Sequence, residues 1–142
     1  MQIPLKNEKL FKECPEITSM KSVPKSLRAW FIVHFFVDIL FALPLIFAPE
    51  WTLKLMGFEV IDVFGARFVG AALFAIGAMS VIKNKAGPET YDVMLTLKIL
   101  WGCTASFGIL LSYDHWPKMG GMILSGFIFF PVLWIYYKYS AR

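Results

Sequence analysis

LRAWFIVHFFVDILFALPLIFA, residues 27–48, is the stretch whose reading decides the fold. As a helix rising 1.5 Å per residue it reaches ~33 Å, enough to cross the ~30 Å hydrocarbon core of a bilayer. Three more apolar runs of similar length follow: Ile61–Ile82, Tyr91–Ser112 and Met119–Tyr137. A buried helix of a soluble protein can also be apolar all round, but four in a row leave almost no chain to surround them. The composition agrees: 58% of the 142 residues are hydrophobic, against roughly 45–50% in soluble domains. The expected fold is all-α, a polytopic membrane protein built as an up-down bundle of four transmembrane helices. Residues 1–26 form a polar N-terminal arm and residues 27–139 the transmembrane domain.

The arm is too short for a core of its own, and Pro4, Pro15 and Pro24 forbid one continuous helix. No cleavable signal peptide is expected, because the first apolar run begins after residue 26 and is too long for an h-region. Charge predicts orientation. Lys6, Lys9, Lys12, Lys21, Lys25, Arg28, Lys83, Lys85, Lys138 and Arg142 fall on one side, and only Lys54 and Lys118 on the other. By the positive-inside rule both termini are cytoplasmic, which suits an even number of spans, and the expected location is the plasma membrane. The net charge of +4 therefore reads as orientation, and no basic–aromatic array suggests a nucleic-acid partner. Cys14 and Cys103 fall at different depths, so a disulfide is not expected, and Cys103 reads as a small packing residue. There is no CxxC or Cys/His zinc spacing.

The punctuation between the runs predicts their ends. Ser22 is a candidate cap before Pro24. Pro44 should kink or loosen the first helix, Pro49 should stop it, and Pro131 should kink the fourth. Glu50–Phe58 reads as a short amphipathic turn on the outer surface, with Trp51 and Phe58 dipping inward. Asp62 suits the N-terminus of the second long helix. That helix carries the small pairs Ala66–Gly70 and Ala71–Ala75, and the third carries Gly102, Ala105 and Ser106. Small residues four apart let helix backbones approach closely in lipid, so the second and third long helices are expected to pack on each other. Short connections make consecutive helices antiparallel neighbours.

Four side chains in the hydrocarbon need a reason to be there: His34, Asp38, Arg67 and Lys98. On insertion scales a central Asp, Lys or Arg costs about 2.5–3.5 kcal/mol. His34 and Asp38 are four apart and share a helix face. Counted from Arg28, His34 lies ~9 Å deep and Asp38 ~15 Å, while Lys98 lies ~9–10 Å from the same side and Arg67 ~8 Å from the other. Side chains lean toward their helix N-terminus. This favours an Asp38–His34–Lys98 cluster between the first and third long helices and leaves Arg67 to Glu50, Glu59 or Asp62 near the outer surface. Such a cluster suits a ligand pocket or a proton relay. The competing reading is structural: Lys98 and Arg67 snorkel to opposite interfaces, His34 bonds a backbone carbonyl, and Asp38 is protonated or glues helices together. Two facing histidines for haem are missing, and nothing supplies a nucleophile, a metal triad or a phosphate loop.

The stretch Ala48-Pro49-Glu50, with Gly65-Ala66-Arg67-Phe68-Val69-Gly70-Ala71-Ala72-Leu73-Phe74-Ala75-Ile76-Gly77, resembles small prokaryotic four-helix membrane proteins of the DoxX-like kind. The resemblance lies in an Arg followed by small residues and in overall size, and it covers the region from the first to the third apolar run. It implies a four-helix bundle, in some cases associated with respiratory quinol chemistry, and carries over no catalytic residue.

The function expected from the residues is that of a non-enzymatic membrane component: an accessory subunit, or a binder of a small lipophilic ligand such as a lipid or quinone. A small transporter or proton-coupled component using His34, Asp38 and Lys98 is the second reading, and an intramembrane enzyme the third. No cofactor is expected. The Gly/Ala surfaces make a homo-oligomer or a larger membrane complex the expected assembly.

Overall fold

The computed structural model describes residues 22–140. Most of the arm, with Lys6, Lys9, Lys12, Cys14 and Lys21, and the C-terminal Arg142 lie outside the described residues. The described residues form five α-helices, α1 (Lys25–Phe47), α2 (Pro49–Met56), α3 (Val63–Ile82), α4 (Pro88–Leu111) and α5 (Gly120–Ser140), with a 3-10 turn at Tyr113–His115. The fold is all-α, and α1, α3, α4 and α5 are each long and apolar enough to cross a membrane.

The outward faces carry the apolar side chains that a water-soluble protein would bury. Phe36, Leu40, Phe64, Phe68 and Leu111 are all more than half exposed. Contiguous apolar surface of this kind belongs against lipid.

Local chemistry explains the helix ends. α1 is preceded by Pro24 with no side-chain cap, so Ser22 does not cap it. α1 runs on through Pro44 and ends only before Pro49, which opens α2 from its first turn, where a missing N–H costs nothing. Pro88 likewise starts α4 three residues before the apolar run at Tyr91. The amphipathic turn is a full helix, α2. Its Phe58 end packs against buried core, whereas Trp51 is exposed. Gly57 closes α2 in the left-handed region at φ 85°, with Phe58 N–H bonding back to Leu53 O at 3.0 Å. The Asp62 side chain caps α3, accepting from Gly65 N–H at 2.9 Å.

The packing differs from the sequence expectation. α3 packs on α1 and α4 on α5, while the second and third long helices, α3 and α4, make little direct contact. The reason lies in which face of α3 is small. Its buried residues are Ala66, Gly70, Leu73, Gly77 and Ser80, a seam spaced 4, 3, 4, 3 as in a coiled coil. A Cβ at Gly70 would come within 3.0 Å of Ala42 O and Leu45 Cβ, so α1 occupies this seam. Ala71 and Ala75 lie off it and are exposed among the described residues. On α4, Gly102 receives the ring of Pro131 from α5, and Ser106 Oγ donates across the same interface to Phe127 O at 2.9 Å. Cys103 faces outward and is exposed, not packed.

Two buried clusters hold the pairs together. At the end bearing Lys25, the α3–α4 loop and Ser140, the residues Leu27, Phe31, Tyr91, Leu95 and Trp134 are completely buried with Met94 beside them, so α1, α4 and α5 converge here. At the opposite, distal end, Ala42, Leu45, Leu53, Ala66 and Leu73 bind α1, α2 and α3, with Trp101 of α4 packed against them. The two helix pairs meet most closely at the converging end; toward the other they touch through Trp101 and through Met119 N–H, which donates to Met56 O at 3.2 Å, and a space lies between them.

Candidate functional site

Polar side chains close the converging end from several directions. Arg28 on α1 donates through Nη1 to Asn84 O and through Nη2 to Ala86 O at 3.2 Å, and its guanidinium lies 5.2 Å from the Tyr91 ring centroid. Tyr91 Oη donates to Asn84 O at 2.9 Å. Lys138 on α5 lies 3.1 Å from Asp92 Oδ1 on α4 and also donates to Thr96 Oγ1. The start of α1, the α3–α4 loop and the end of α5 therefore share one face of the bundle.

Inward from this face, α1 and α4 bring three of the four costly residues together. His34 Nδ1 lies 2.8 Å from Asp38 Oδ2 and 3.0 Å from Lys98 Nζ, and Lys98 Nζ is 4.0 Å from Asp38 Oδ2. Asp38 is 5% exposed and Lys98 3%. The ring nitrogen cannot accept from Lys98 and donate to Asp38 at once, so the three groups compete for their protons. Asp38 Oδ2 is buried and accepts no aligned hydrogen bond despite the short approach of His34.

Aromatic rings and one glycine fix the cluster. His34 meets Phe130 edge-on at 4.3 Å and Trp134 at 5.4 Å. Lys98 Nζ sits 5.3 Å from the Phe31 ring and 5.8 Å from that of Trp134, within the range of cation–π attraction. A Cβ at Gly77 would lie 2.8 Å from Asp38 Cβ and 2.9 Å from its Oδ2, so only glycine lets the carboxyl group lie against the α3 backbone. A reading based on pairs four apart overlooks Gly77. It stands seven residues from Gly70 on the same face, and a seven-residue spacing would have found it.

Arg67 stands apart. It is exposed at the distal end, and its Nε donates to Ile46 O at 3.3 Å. Instead of an acidic side chain it meets a carbonyl in the last turn of α1, which has no basic residue of its own there. A cation at a helix C-terminus is electrostatically favoured.

The cluster forms the floor of a cavity of about 570 Å³ between the two helix pairs. Its walls include Phe41, Leu73, Trp101 and Phe127, and its distal rim is at Val60, Asp62 and Met122. Toward the other end the fully buried Phe31, Tyr91 and Trp134 seal it. The volume falls within the range of small-molecule sites, which are mostly apolar with a few convergent polar groups. Among the described residues, no three His, Cys, Asp or Glu side chains gather as a metal site would require. Comparison of the chain with protein-family models, with characterised proteins and with solved structures finds no match.

Proposed function

We propose that this protein binds a small lipophilic molecule within the bilayer, in the cavity between the α1–α3 and α4–α5 pairs. The observation that carries this reading is a mostly apolar space of about 570 Å³ whose inner end is occupied by the buried side chains of Asp38 and Lys98 and the partly buried His34. A purely structural cluster would be packed around on all sides, because an unfilled apolar void sacrifices dispersion contacts. The sealed converging end favours a binding site over a continuous path across the membrane. Both termini lie on the cytoplasmic side of the plasma membrane in this proposal, and the exposed small residues Ala71 and Ala75 are available to a second copy or a partner subunit. A DoxX-like relationship belongs to the same proposal.

Filling the cavity tests it. Gly126 lines the space, and a Cβ there meets nothing within 4 Å. Native mass spectrometry of wild-type protein released from membranes should show a bound adduct of small-molecule mass, and Gly126→Phe should lose most of it while remaining folded. Wild-type protein that emerges without any adduct and takes up no added lipid or quinone would overturn the reading.

A further inference from the structure

We propose that the bound molecule presents a neutral hydroxyl group to Asp38 and Lys98, and is neither an anion nor a cation at its polar end. The inference rests on the binding reading above and adds the chemical class of the head group.

The charges that line the cavity make the case. They are Asp38 and Lys98 at the floor and Asp62 far away at the rim. Asp38 Oδ2 and Lys98 Nζ are only 4.0 Å apart, so each already compensates the other. A phosphate or sulfonate drawn to Lys98 would be forced against the Asp38 carboxylate, and an ammonium drawn to Asp38 would be forced against Lys98. In a setting this poor in water, like-charge contact is not screened. Asp38 and Lys98 both line the cavity, and a hydroxyl can donate to a carboxylate oxygen there. The oxygen of the same hydroxyl has lone pairs free to accept from Lys98 Nζ. One neutral group thus satisfies both side chains without adding charge.

The location supports the choice. The cluster lies roughly 9–15 Å inside the membrane by helix rise, below an apolar shaft. An alcohol or phenol reaches this depth at far smaller desolvation cost than an ion. The aromatic walls at Phe41, Trp101 and Phe127 accept an apolar chain or ring behind the hydroxyl.

The test uses three photoactivatable probes with one C12 diazirine chain: a primary alcohol, a sulfonate and a trimethylammonium salt. Each is crosslinked to the full-length protein in lipid nanodiscs, and labelled peptides are mapped by mass spectrometry. The alcohol should label cavity-lining peptides of α1 and α4 about tenfold more than either ion, as a buried hydrogen bond to a charged group implies. Unlabelled dodecanol should compete. Asp38→Leu leaves Lys98 without its counter-charge, so the sulfonate should gain on the alcohol and the alcohol's preference over it should be lost, while the ammonium stays disfavoured. Asp38→Asn, which keeps the shape and guards against misfolding of the leucine variant, should shift the sulfonate ratio in the same direction. Equal or stronger labelling of the wild-type protein by the sulfonate or ammonium probe would overturn the hydroxyl assignment and leave the binding site standing. A preference unchanged in both Asp38 variants would also overturn it. Labelling of cavity peptides by none of the probes would remove the binding reading itself.

Discussion

Gly77 shows how a single hydrogen atom can position a charge. The Asp38 carboxyl group rests where a Cβ on α3 would be, 2.8 Å from its own Cβ, so neither side chain nor backbone has slack. Gly77→Ala should force α1 and α3 apart locally or turn the carboxylate away from His34. Overpacking of this kind costs about 1–3 kcal/mol, partly offset by the better helix propensity of alanine. Thermal unfolding followed by circular dichroism in detergent should show a lower Tm for Gly77→Ala, while Gly121→Ala, where a Cβ meets nothing within 4 Å, should not lower it. An unchanged Gly77→Ala protein would mean that the carboxylate is not held where it is described. The juxtaposition of His34, Asp38 and Lys98 was legible beforehand, because depth along a helix follows from residue count and lean from the direction of Cβ. The partner of Arg67 was not. A backbone carbonyl leaves no mark in the residue types, and three nearby acidic side chains offered a more obvious answer than Ile46 O.

Helix pairing is decided by which small residues share one face, and not by how many a helix contains. α3 has small side chains on more than one face, and counting pairs four apart selects Ala66–Gly70 and Ala71–Ala75 equally. Only the first lies on the seam that runs through Leu73, Gly77 and Ser80 against α1. On α4 the decisive feature is the fit of Gly102 to Pro131, a relation between distant residues that periodicity within one helix cannot reveal. The four spans were legible because length and apolarity are local properties, whereas the assignment of partners depends on shape on both sides of an interface. Leucine substitutions separate the two faces of α3. Gly70→Leu should destabilise the bundle by at least about 1–3 kcal/mol, because Ala42 O and the side chains of Leu45 and Ile46 leave no room. Ala71→Leu, on the exposed face, should stay within about 0.5 kcal/mol. Stability of each variant can be read from reversible unfolding in mixed detergent micelles. A large loss at Ala71 would show that another helix, from a second copy or a partner, covers that face.

Orientation connects the molecule to its membrane and decides from which side the cavity is reached. Arg28 tied to the α3–α4 loop and Lys138 paired with Asp92 place the start of α1, that loop and the end of α5 on one face. Lys25, Lys83 and Lys85 are exposed on this face, while the distal side has Lys54 and Lys118. A bundle inserted with its basic face in the cytoplasm turns the distal rim at Val60, Asp62 and Met122 outward. In that orientation the aromatic cluster separates the cavity from the cytoplasm, and the lipophilic molecule proposed above would arrive from the outer leaflet or the outer surface. Cysteine labelling tests the geometry directly. In a Cys14→Ser, Cys103→Ser background, Lys54→Cys should react with a membrane-impermeant maleimide on intact cells. Lys85→Cys should react only after permeabilisation. The reverse pattern would turn the bundle over and place the cavity mouth on the cytoplasmic side. Labelling of both positions from one side would be incompatible with α3 crossing the membrane, since Lys54 and Lys85 flank that helix.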